Sequence, residues 1–208
     1  MNVKSILFDL DGTLCDCTEV HYISLNRALK EVSGTVINRE EHQGIFNGLP
    51  THKKLDVLVS SGRVEESDRK KIWQLKQEFT KEAITELLHF DPVKVELLRY
   101  LKSLGIKVAC VTNSIKETAT LMLQRTGQFE YIDLLIANDM IQRPKPHAEG
   151  YIRGMILFNS LPEETITVED SPVGLEAAYA SSALVWKVSG YQDVNLQNYL
   201  NYYMETFG

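Results

Sequence analysis

The stretch at residues 3–13 reads Val-Lys-Ser-Ile-Leu-Phe-Asp-Leu-Asp-Gly-Thr, an apolar run that ends in two aspartates and a glycine. The run lacks strict alternation of apolar and polar residues, which is typical of a strand covered on both faces of its sheet. Asp9 and Asp11 are two residues apart, so on an extended chain their side chains lie on the same side and both carboxylates enter one cavity. Two carboxylates that close repel each other, so they need a shared proton or a cation.

An Asp-Gly turn at the end of a strand is an equally ordinary explanation of this stretch taken alone. A calcium-binding EF-hand loop is excluded, because that loop needs glycine at its sixth position and an acid at its twelfth. Counted from Asp9, the glycine is fourth and the twelfth residue is Val20.

Beyond this stretch, short apolar runs alternate with segments of helical periodicity, and this order predicts a parallel α/β sheet. Gly150 and Gly154 lie four apart in one such helix, where we expect them to allow close contact with the sheet rather than to bind a ligand. Residues 191–208 are predicted to form a final amphipathic helix that covers the sheet. The other predicted strands are 108–111, 134–137, 166–168 and 184–188, and the helices between them are 93–104, 115–126, 147–158 and 172–181.

Residues 17–88 interrupt the alternation with helical periodicity and no convincing strand. About 70 residues inserted between the first and second strands are enough for a lid or a partner domain. We therefore predict an α/β core at residues 1–16 and 89–208 and a separate helical domain at 17–88. Two apolar stripes mark its helices, one of Val20, Ile23, Leu25 and Leu29 and one of Ile72, Leu75, Phe79, Ala83 and Leu87.

The composition is typical of a globular protein, with 44% apolar and 24% charged residues. The 22 basic and 28 acidic residues give a net charge of -6, so no basic surface for nucleic acid or an anionic membrane is expected. No apolar run approaches the roughly 18 residues of a membrane span, and the N-terminal run meets an acid too early for a signal peptide. The three cysteines are too few and too scattered for a disulfide framework or a zinc site, so we expect free thiols and a cytoplasmic protein.

Further polar segments follow directly after predicted strands, at the edge where open α/β sheets bind ligands. One contains Thr112, Asn113 and Ser114, and the spacing of Ser114 and Glu117 predicts a capping box at a helix start, where an anion can bind. Another holds Lys145 between two prolines, which exclude it from a helix and fix its positive charge in place.

The last of these segments is the acidic pair Glu169 and Asp170, followed by Ser171-Pro172 at the start of a helix. Taken singly, each segment has an ordinary structural explanation: a helix cap, a solvated loop lysine or an N-capping acid. Their order along one chain is what makes the set specific.

Together the segments resemble the four motifs of the haloacid dehalogenase-like hydrolase superfamily: a DxDGT strand end, a Thr or Ser after the second strand, an isolated Lys and an acidic pair. The resemblance covers essentially the whole chain, because that superfamily inserts a helical cap after its first motif. The β-phosphoglucomutase-like phosphatases are the most similar in style. The resemblance implies a Rossmann-like core at 1–16 and 89–208, a helical cap at 17–88, and Mg²⁺-dependent hydrolysis of a small phosphomonoester, with sugar phosphates as candidates.

The resemblance also assigns roles to the motif residues. Asp9 attacks phosphorus and forms an aspartyl-phosphate, while Asp11 protonates the leaving alcohol and later takes a proton from water. The resemblance places Mg²⁺ between Asp9, the backbone carbonyl of Asp11 and Asp170. Glu169 is expected either to bind the metal directly or to contact one of its ligands. Lys145 offsets negative charge during the transfer. Contact with the phosphate group is expected of Gly12, Thr112, Asn113 and Ser114.

Substrate recognition is expected of the cap. His21 matches a cap histidine of the mutase-like members, Lys76 lines up with a cap lysine, and the stretch 48–55, which begins at Gly48, matches their substrate loop. Thr51 stands where the mutase has an arginine, which favours a phosphatase. His21 and Lys76 are also compatible with ordinary positions on a helix surface. We expect a small phosphorylated metabolite as the ligand, no nucleic acid or membrane partner, and a chain compatible with a monomer.

Three other functions remain open. A phosphomutase would use the same core and return the phosphoryl group to its substrate. A haloacid dehalogenase attacks carbon and needs neither a metal nor Asp11, so the presence of Asp11 argues against it. A non-catalytic binding module is expected to lack a motif residue, and none is missing.

Overall fold

The computed structural model describes residues 3–46 and 49–208, so Gly48 of the predicted substrate loop lies outside the described residues. The α/β core contains a five-stranded sheet with the order β3-β2-β1-β4-β5. All four strand pairs are parallel, which confirms the predicted α/β class. The strands are β1 (Ser5–Phe8), β2 (Lys107–Val111), β3 (Leu134–Ile136), β4 (Thr165–Glu169) and β5 (Leu184–Lys187).

The helices between these strands begin and end within two residues of the predicted positions. The last helix begins later than predicted, at Leu196, because the side chain of Asn195 accepts a hydrogen bond from the N–H of Asn198 and caps it there. Tyr199 of this helix lies with its ring centroid 6.0 Å from that of Trp186 in the edge strand. The helices are α5 (Pro92–Ser103), α6 (Lys116–Arg125), α7 (Glu149–Phe158), α8 (Pro172–Ala180) and α9 (Leu196–Phe207).

Helix α7 packs unusually close to the sheet. A β-carbon at Gly150 would lie 2.7 Å from Cγ1 of Val111, and one at Gly154 would lie 2.3 Å from Cδ2 of Leu7. Both distances are too short for carbon atoms, so only glycine permits this approach. The prediction that the two glycines serve helix–sheet packing is therefore confirmed.

The chain divides into two compact units, one made of Met1–Asp16 and His89–Gly208 and the other of Cys17–Leu88. The second unit contains the helices α1 (Thr18–Ser33), α2 (Arg39–Gln43), α3 (Thr51–Ser60) and α4 (Arg69–Leu87), and its described residues include no strand. It has its own apolar core, as a domain requires. That core contains Leu25, Ala28, Leu29, Ile37, Phe46, Leu55, Leu58, Val64 and Ile72.

The predicted apolar stripe of α4 is partly wrong. Ile72 and Ala83 are buried as expected, but Leu87 is 41% exposed. The buried face instead passes through Lys76 and Thr80, because steps of four residues from Ile72 follow the 3.6-residue turn of the helix. Apolar periodicity alone does not identify a buried helix face that contains polar residues such as Lys76 and Thr80.

Two predictions drawn from composition can also be compared with the structure. Among the residues it describes, no helix is both long and apolar enough to cross a bilayer. Cys15, Cys17 and Cys110 are buried thiols, as the sequence predicts.

Candidate active site

Asp9 lies at the end of β1, next to the parallel strand β4. Its backbone N–H donates to the carbonyl of Val168 at 3.0 Å, which continues the pairing of the two strands by one residue. Asp9 is 7% exposed, and its Oδ1 accepts a hydrogen bond from Nζ of Lys145 at 2.6 Å. The same ammonium donates to Oε1 of Glu169 at 2.5 Å. The structure therefore brings together three of the predicted site residues around one buried ion-pair network.

Asn113 fixes the backbone of Lys145. Its Nδ2 donates to the carbonyl of Lys145 at 3.2 Å, and its Oδ1 accepts from the N–H of Lys145 at 3.1 Å. Since both amide atoms bind the same residue, Asn113 holds the loop that presents the ammonium. The predicted contact between Asn113 and phosphate stays a prediction. The contact that the structure shows is with the backbone of Lys145.

Asp11 is held by the segment after β2. Oδ2 of Asp11 accepts from Oγ of Ser114 at 2.9 Å and from Oγ1 of Thr112 at 3.3 Å. The Thr112 hydroxyl also accepts from the N–H of Ser114 at 2.9 Å, which fixes the turn. Hydroxyl donors at this carboxylate keep it oriented without neutralising it.

The predicted capping box of Ser114 and Glu117 is wrong. Helix α6 begins at Lys116, whose N–H donates to Oδ1 of Asp139 at 2.8 Å. An acceptor from another loop thus caps the helix, and the Ser114 hydroxyl is used on Asp11 instead. The spacing of Ser114 and Glu117 fits a capping box, but Asp139, which is distant in sequence, caps the helix instead.

Glu169 and Asp170, at the end of β4, complete an acidic group. One carboxylate oxygen each of Asp9, Glu169 and Asp170 lies within 4.8 Å of the others. Within residues 3–46 and 49–208, Oε2 of Glu169 and Oδ1 of Asp170 are buried without a hydrogen-bond partner. The carboxylate of Asp11 is not in this group, and the expectation that Asp11 contributes its backbone carbonyl stays a prediction.

These residues fit a divalent cation that prefers oxygen ligands, such as Mg²⁺. Three carboxylates face one ammonium, so when all are ionised two negative charges have no matching cation among these four groups. Buried acceptors without donors are costly unless a cation or donor satisfies them. A charge of +2 placed among the three carboxylates would satisfy both the charge and the orphaned oxygens.

The pKa values of the site respond to the same crowding. Burial, and then the Glu169 carboxylate, raises the pKa of Asp9 well above its usual value, although Lys145 acts in the opposite direction. Burial and Glu169 likewise raise the pKa of Asp170 to about 6. Burial alone would lower the pKa of Lys145, but the carboxylates of Asp9 and Glu169 outweigh it and raise that pKa. Lys145 is therefore charged at neutral pH, and the carboxyl groups favour a further cation.

Gly12 is required by the geometry of the first loop. Its φ of +91° is in the region that favours glycine, and a β-carbon there would lie 2.2 Å from Oδ2 of Asp170. Thus the glycine allows the loop after β1 to lie directly beside the acidic pair. The expectation that Gly12 contacts phosphate stays a prediction.

The remaining predicted site residues belong to the helical unit. His21 lies on α1 and is half-buried, and Thr51 is the first residue of α3. Lys76 is buried on α4, where the Thr80 hydroxyl donates to its carbonyl at 2.6 Å. Their part in substrate recognition stays a prediction.

Sequence reasoning missed Tyr151. This tyrosine is fully buried on α7, and its hydroxyl donates to Oε1 of Glu169 at 2.5 Å. The sequence did contain an indication: Tyr151 lies between Gly150 and Gly154, on the helix face that must pack against the sheet. A buried phenol needs a partner, and the acidic pair was a candidate for it.

The profile of the haloacid dehalogenase-like hydrolases matches residues 6–188 of this chain. The chain belongs to this family and is a hydrolase of it. The phosphorylated carbohydrates phosphatase of Thermotoga maritima is 30% identical over 179 residues, which cover 85% of this chain and 80% of that protein.

The pyrophosphatase PpaX of Bacillus cereus is 27% identical over 194 residues, which cover 91% of this chain and 87% of that protein. Among solved structures, the β-phosphoglucomutase of Clostridium difficile superposes with a TM-score of 0.80 at 20% identity, over 98% of both chains. At that identity the superposition shows a common fold.

Proposed function

We propose that this protein is a Mg²⁺-dependent phosphatase that hydrolyses a small phosphomonoester through an aspartyl-phosphate on Asp9. The observation that carries the proposal is the buried carboxylate of Asp9, which is paired with Lys145 and lies in a group of three carboxyl groups that face this one ammonium. A nucleophile, a fixed cation and a set of oxygen ligands for a metal are the parts that phosphoryl transfer needs.

In the first step an oxygen of Asp9 attacks phosphorus, and the bond from phosphorus to the ester oxygen breaks. Asp11, as the acid, gives its proton to the leaving alkoxide, so that a neutral alcohol departs. In the second step water attacks the phosphorus of the aspartyl-phosphate. Asp11, now a carboxylate, takes a proton from that water, and inorganic phosphate leaves as Asp9 is regenerated.

The other groups of the site support these steps through charge and position. Lys145 stays protonated and offsets charge on Asp9 and on the transferring group. Mg²⁺, held by Asp9, Asp170, Glu169 and the carbonyl of Asp11, would neutralise the phosphate dianion and orient it toward the nucleophile. The hydroxyls of Thr112 and Ser114 orient Asp11. In this proposal Gly12 and the segment 112–114 also contact the phosphate oxygens.

Two relatives suggest the substrate class. One is named for phosphorylated carbohydrates and the other for pyrophosphate. We infer a sugar phosphate as the first candidate, with recognition by His21, Thr51 and Lys76 of the helical cap. Threonine offers no bidentate fork to a distal phosphate, so Thr51 favours a phosphatase over a phosphomutase, which has arginine at the matching position.

The test of the core chemistry is hydrolysis of p-nitrophenyl phosphate by the wild type and by Asp9→Asn, with Mg²⁺ and with excess chelator. We expect turnover only with Mg²⁺, and a loss of several orders of magnitude in Asp9→Asn, since an amide cannot attack phosphorus. Asp68→Asn makes the same chemical change at a residue outside the acidic group and should keep wild-type turnover. Retention of more than about a tenth of kcat in Asp9→Asn would contradict the assignment of the nucleophile.

The acceptor is tested with both anomers of glucose 1-phosphate and a trace of glucose 1,6-bisphosphate, following phosphate and glucose 6-phosphate together. A phosphatase releases phosphate and forms no glucose 6-phosphate. Glucose 6-phosphate appearing faster than free phosphate would show a mutase. Pyrophosphate in a parallel reaction separates the two substrate classes that the relatives suggest.

A further inference from the structure

Tyr151 is the one buried hydroxyl that the mechanism above does not use and that nonetheless touches its acidic group in the described structure. It reaches that position because Gly150 and Gly154, on either side of it, let α7 approach the sheet within the reach of one side chain. The packing of α7 on the sheet thus places the Tyr151 hydroxyl against Glu169, the last residue of β4.

The Tyr151 hydroxyl and the Lys145 ammonium bind the same oxygen. Both donate to Oε1 of Glu169 at 2.5 Å, and the ammonium lies 4.9 Å from the centre of the Tyr151 ring. In the described chain, the second oxygen of Glu169, Oε2, is buried and accepts no hydrogen bond. Oε1 of Glu169 therefore accepts both hydrogen bonds, while Oε2 accepts none from the residues described.

Gly174 confines the same carboxylate from another side. A β-carbon at Gly174 would lie 2.0 Å from Oε2 of Glu169 and 2.1 Å from both Cδ and Oε1. These nearly equal distances show that the carboxylate lies flat against the start of α8. Rotation of the carboxylate about its last bond would carry Oε1 away from the Tyr151 hydroxyl and break that hydrogen bond.

We propose that Tyr151 is a positioning residue that keeps Oε1 of Glu169 for Lys145 and so reserves Oε2 for a divalent cation. The inference rests on the proposed function, because it assumes a metal at the acidic group. Partners that orient a metal ligand commonly change metal affinity by about 10–100-fold when they are removed. We therefore expect Tyr151→Phe to weaken Mg²⁺ binding about tenfold or more.

The experiment measures the melting temperature of the purified full-length protein as a function of Mg²⁺ concentration, without substrate. Binding to the folded state stabilises the protein by RT ln(1 + [Mg²⁺]/Kd), so the Mg²⁺ concentration at which the melting temperature begins to rise gives the Kd. Tyr199→Phe is the matched control, because Tyr199 is also buried and its hydroxyl has no hydrogen-bond partner among the described residues. A purely structural role of Tyr151 would lower the melting temperature equally at all Mg²⁺ concentrations.

The expected result is a Kd for Mg²⁺ about tenfold higher in Tyr151→Phe and unchanged in Tyr199→Phe. The wild-type value in Tyr151→Phe would overturn the proposal. Gly174→Ala provides a second test if Tyr151→Phe does not fold: its methyl group displaces Glu169 and should also weaken Mg²⁺ binding, and a wild-type value there would overturn the proposal. If the wild type itself neither binds Mg²⁺ nor hydrolyses p-nitrophenyl phosphate, the proposed function has failed instead.

Discussion

Replacing Lys145 with methionine tests the charge balance of the site most directly. The ammonium is 6% exposed and pairs with Asp9 at 2.6 Å and with Glu169 at 2.5 Å. Removing one partner of a buried pair typically costs about 3–5 kcal/mol, because the other charge stays buried and unpaired. Proton uptake by the crowded carboxyl groups relieves part of this, so we expect a loss of about 3 kcal/mol at pH 7 in chelator. For a chain of this size that corresponds to a fall of roughly 6–12 °C in melting temperature.

The dependence on pH and metal distinguishes this loss from a simple packing defect. Because the pKa of Lys145 is raised in the folded protein, its stabilising effect is complete below the unfolded-state value of 10.5, and the wild type keeps it from pH 5 to 8. In Lys145→Met the carboxylates repel one another, and protonation relieves that repulsion as the pH falls. The deficit relative to the wild type should therefore shrink from pH 7.5 to pH 5, and it should also shrink when Mg²⁺ is added at pH 7.

Lys102→Met is the matched control, measured by denaturant unfolding beside Lys145→Met. Lys102 donates to both oxygens of Asp133 at 2.5 and 2.6 Å, but the pair is about a third exposed. An exposed pair of this kind contributes at most about 1 kcal/mol. Equal losses in the two variants, or a loss in Lys145→Met that ignores both pH and Mg²⁺, would refute the reasoning.

Three further predictions follow from single residues. Gly12→Ala should destabilise the protein more than Gly62→Ala in denaturant unfolding, because both have positive φ but only Gly12 would bring a β-carbon against Asp170; equal losses would contradict this. Burial and nearby cations lower the pKa of His42 to about 4, so the contribution of this residue to stability should fall as the pH drops from 6.5 toward 4; the stability of His42→Phe relative to the wild type should therefore rise over that range in the same assay, and a constant difference would contradict this. Lys76→Ala should raise KM for a sugar phosphate more than it lowers turnover of p-nitrophenyl phosphate, and equal effects would remove it from substrate recognition.

Much of the α/β core could be predicted because its strands are short, continuous apolar runs and their carboxyl ends must share one edge of the sheet. That rule alone places Asp9 near Glu169, although 160 residues separate them. The two prolines beside Lys145 likewise indicated a fixed cation, and the structure gives it two carboxylate partners.

The sequence did not predict hydrogen bonds between side chains that only the folded chain brings together. Ser114 has the spacing of a capping residue, but Asp139 from a distant segment accepts from the N–H of Lys116, and the Ser114 hydroxyl donates to Asp11. Tyr151 reads as one more apolar position of α7, and only the folded sheet shows that its hydroxyl meets Glu169. Hydrogen bonds between distant segments leave no periodic trace in a sequence, and for that reason they were the part of the site that was missed.

The charge of the site also bears on which reaction the family fold performs here. A carboxylate that displaces halide from carbon gains nothing from further acids nearby, since they raise its pKa and so lower the fraction that is ionised and able to attack. Glu169 and Asp170 have that effect on Asp9 unless a cation lies among them. With a divalent cation present, the same acids hold the positive charge that a phosphate dianion requires. In the proposed mechanism the acidic pair serves phosphoryl transfer rather than dehalogenation, and Asp11, oriented by two hydroxyls, would supply the proton that an alkoxide leaving group needs.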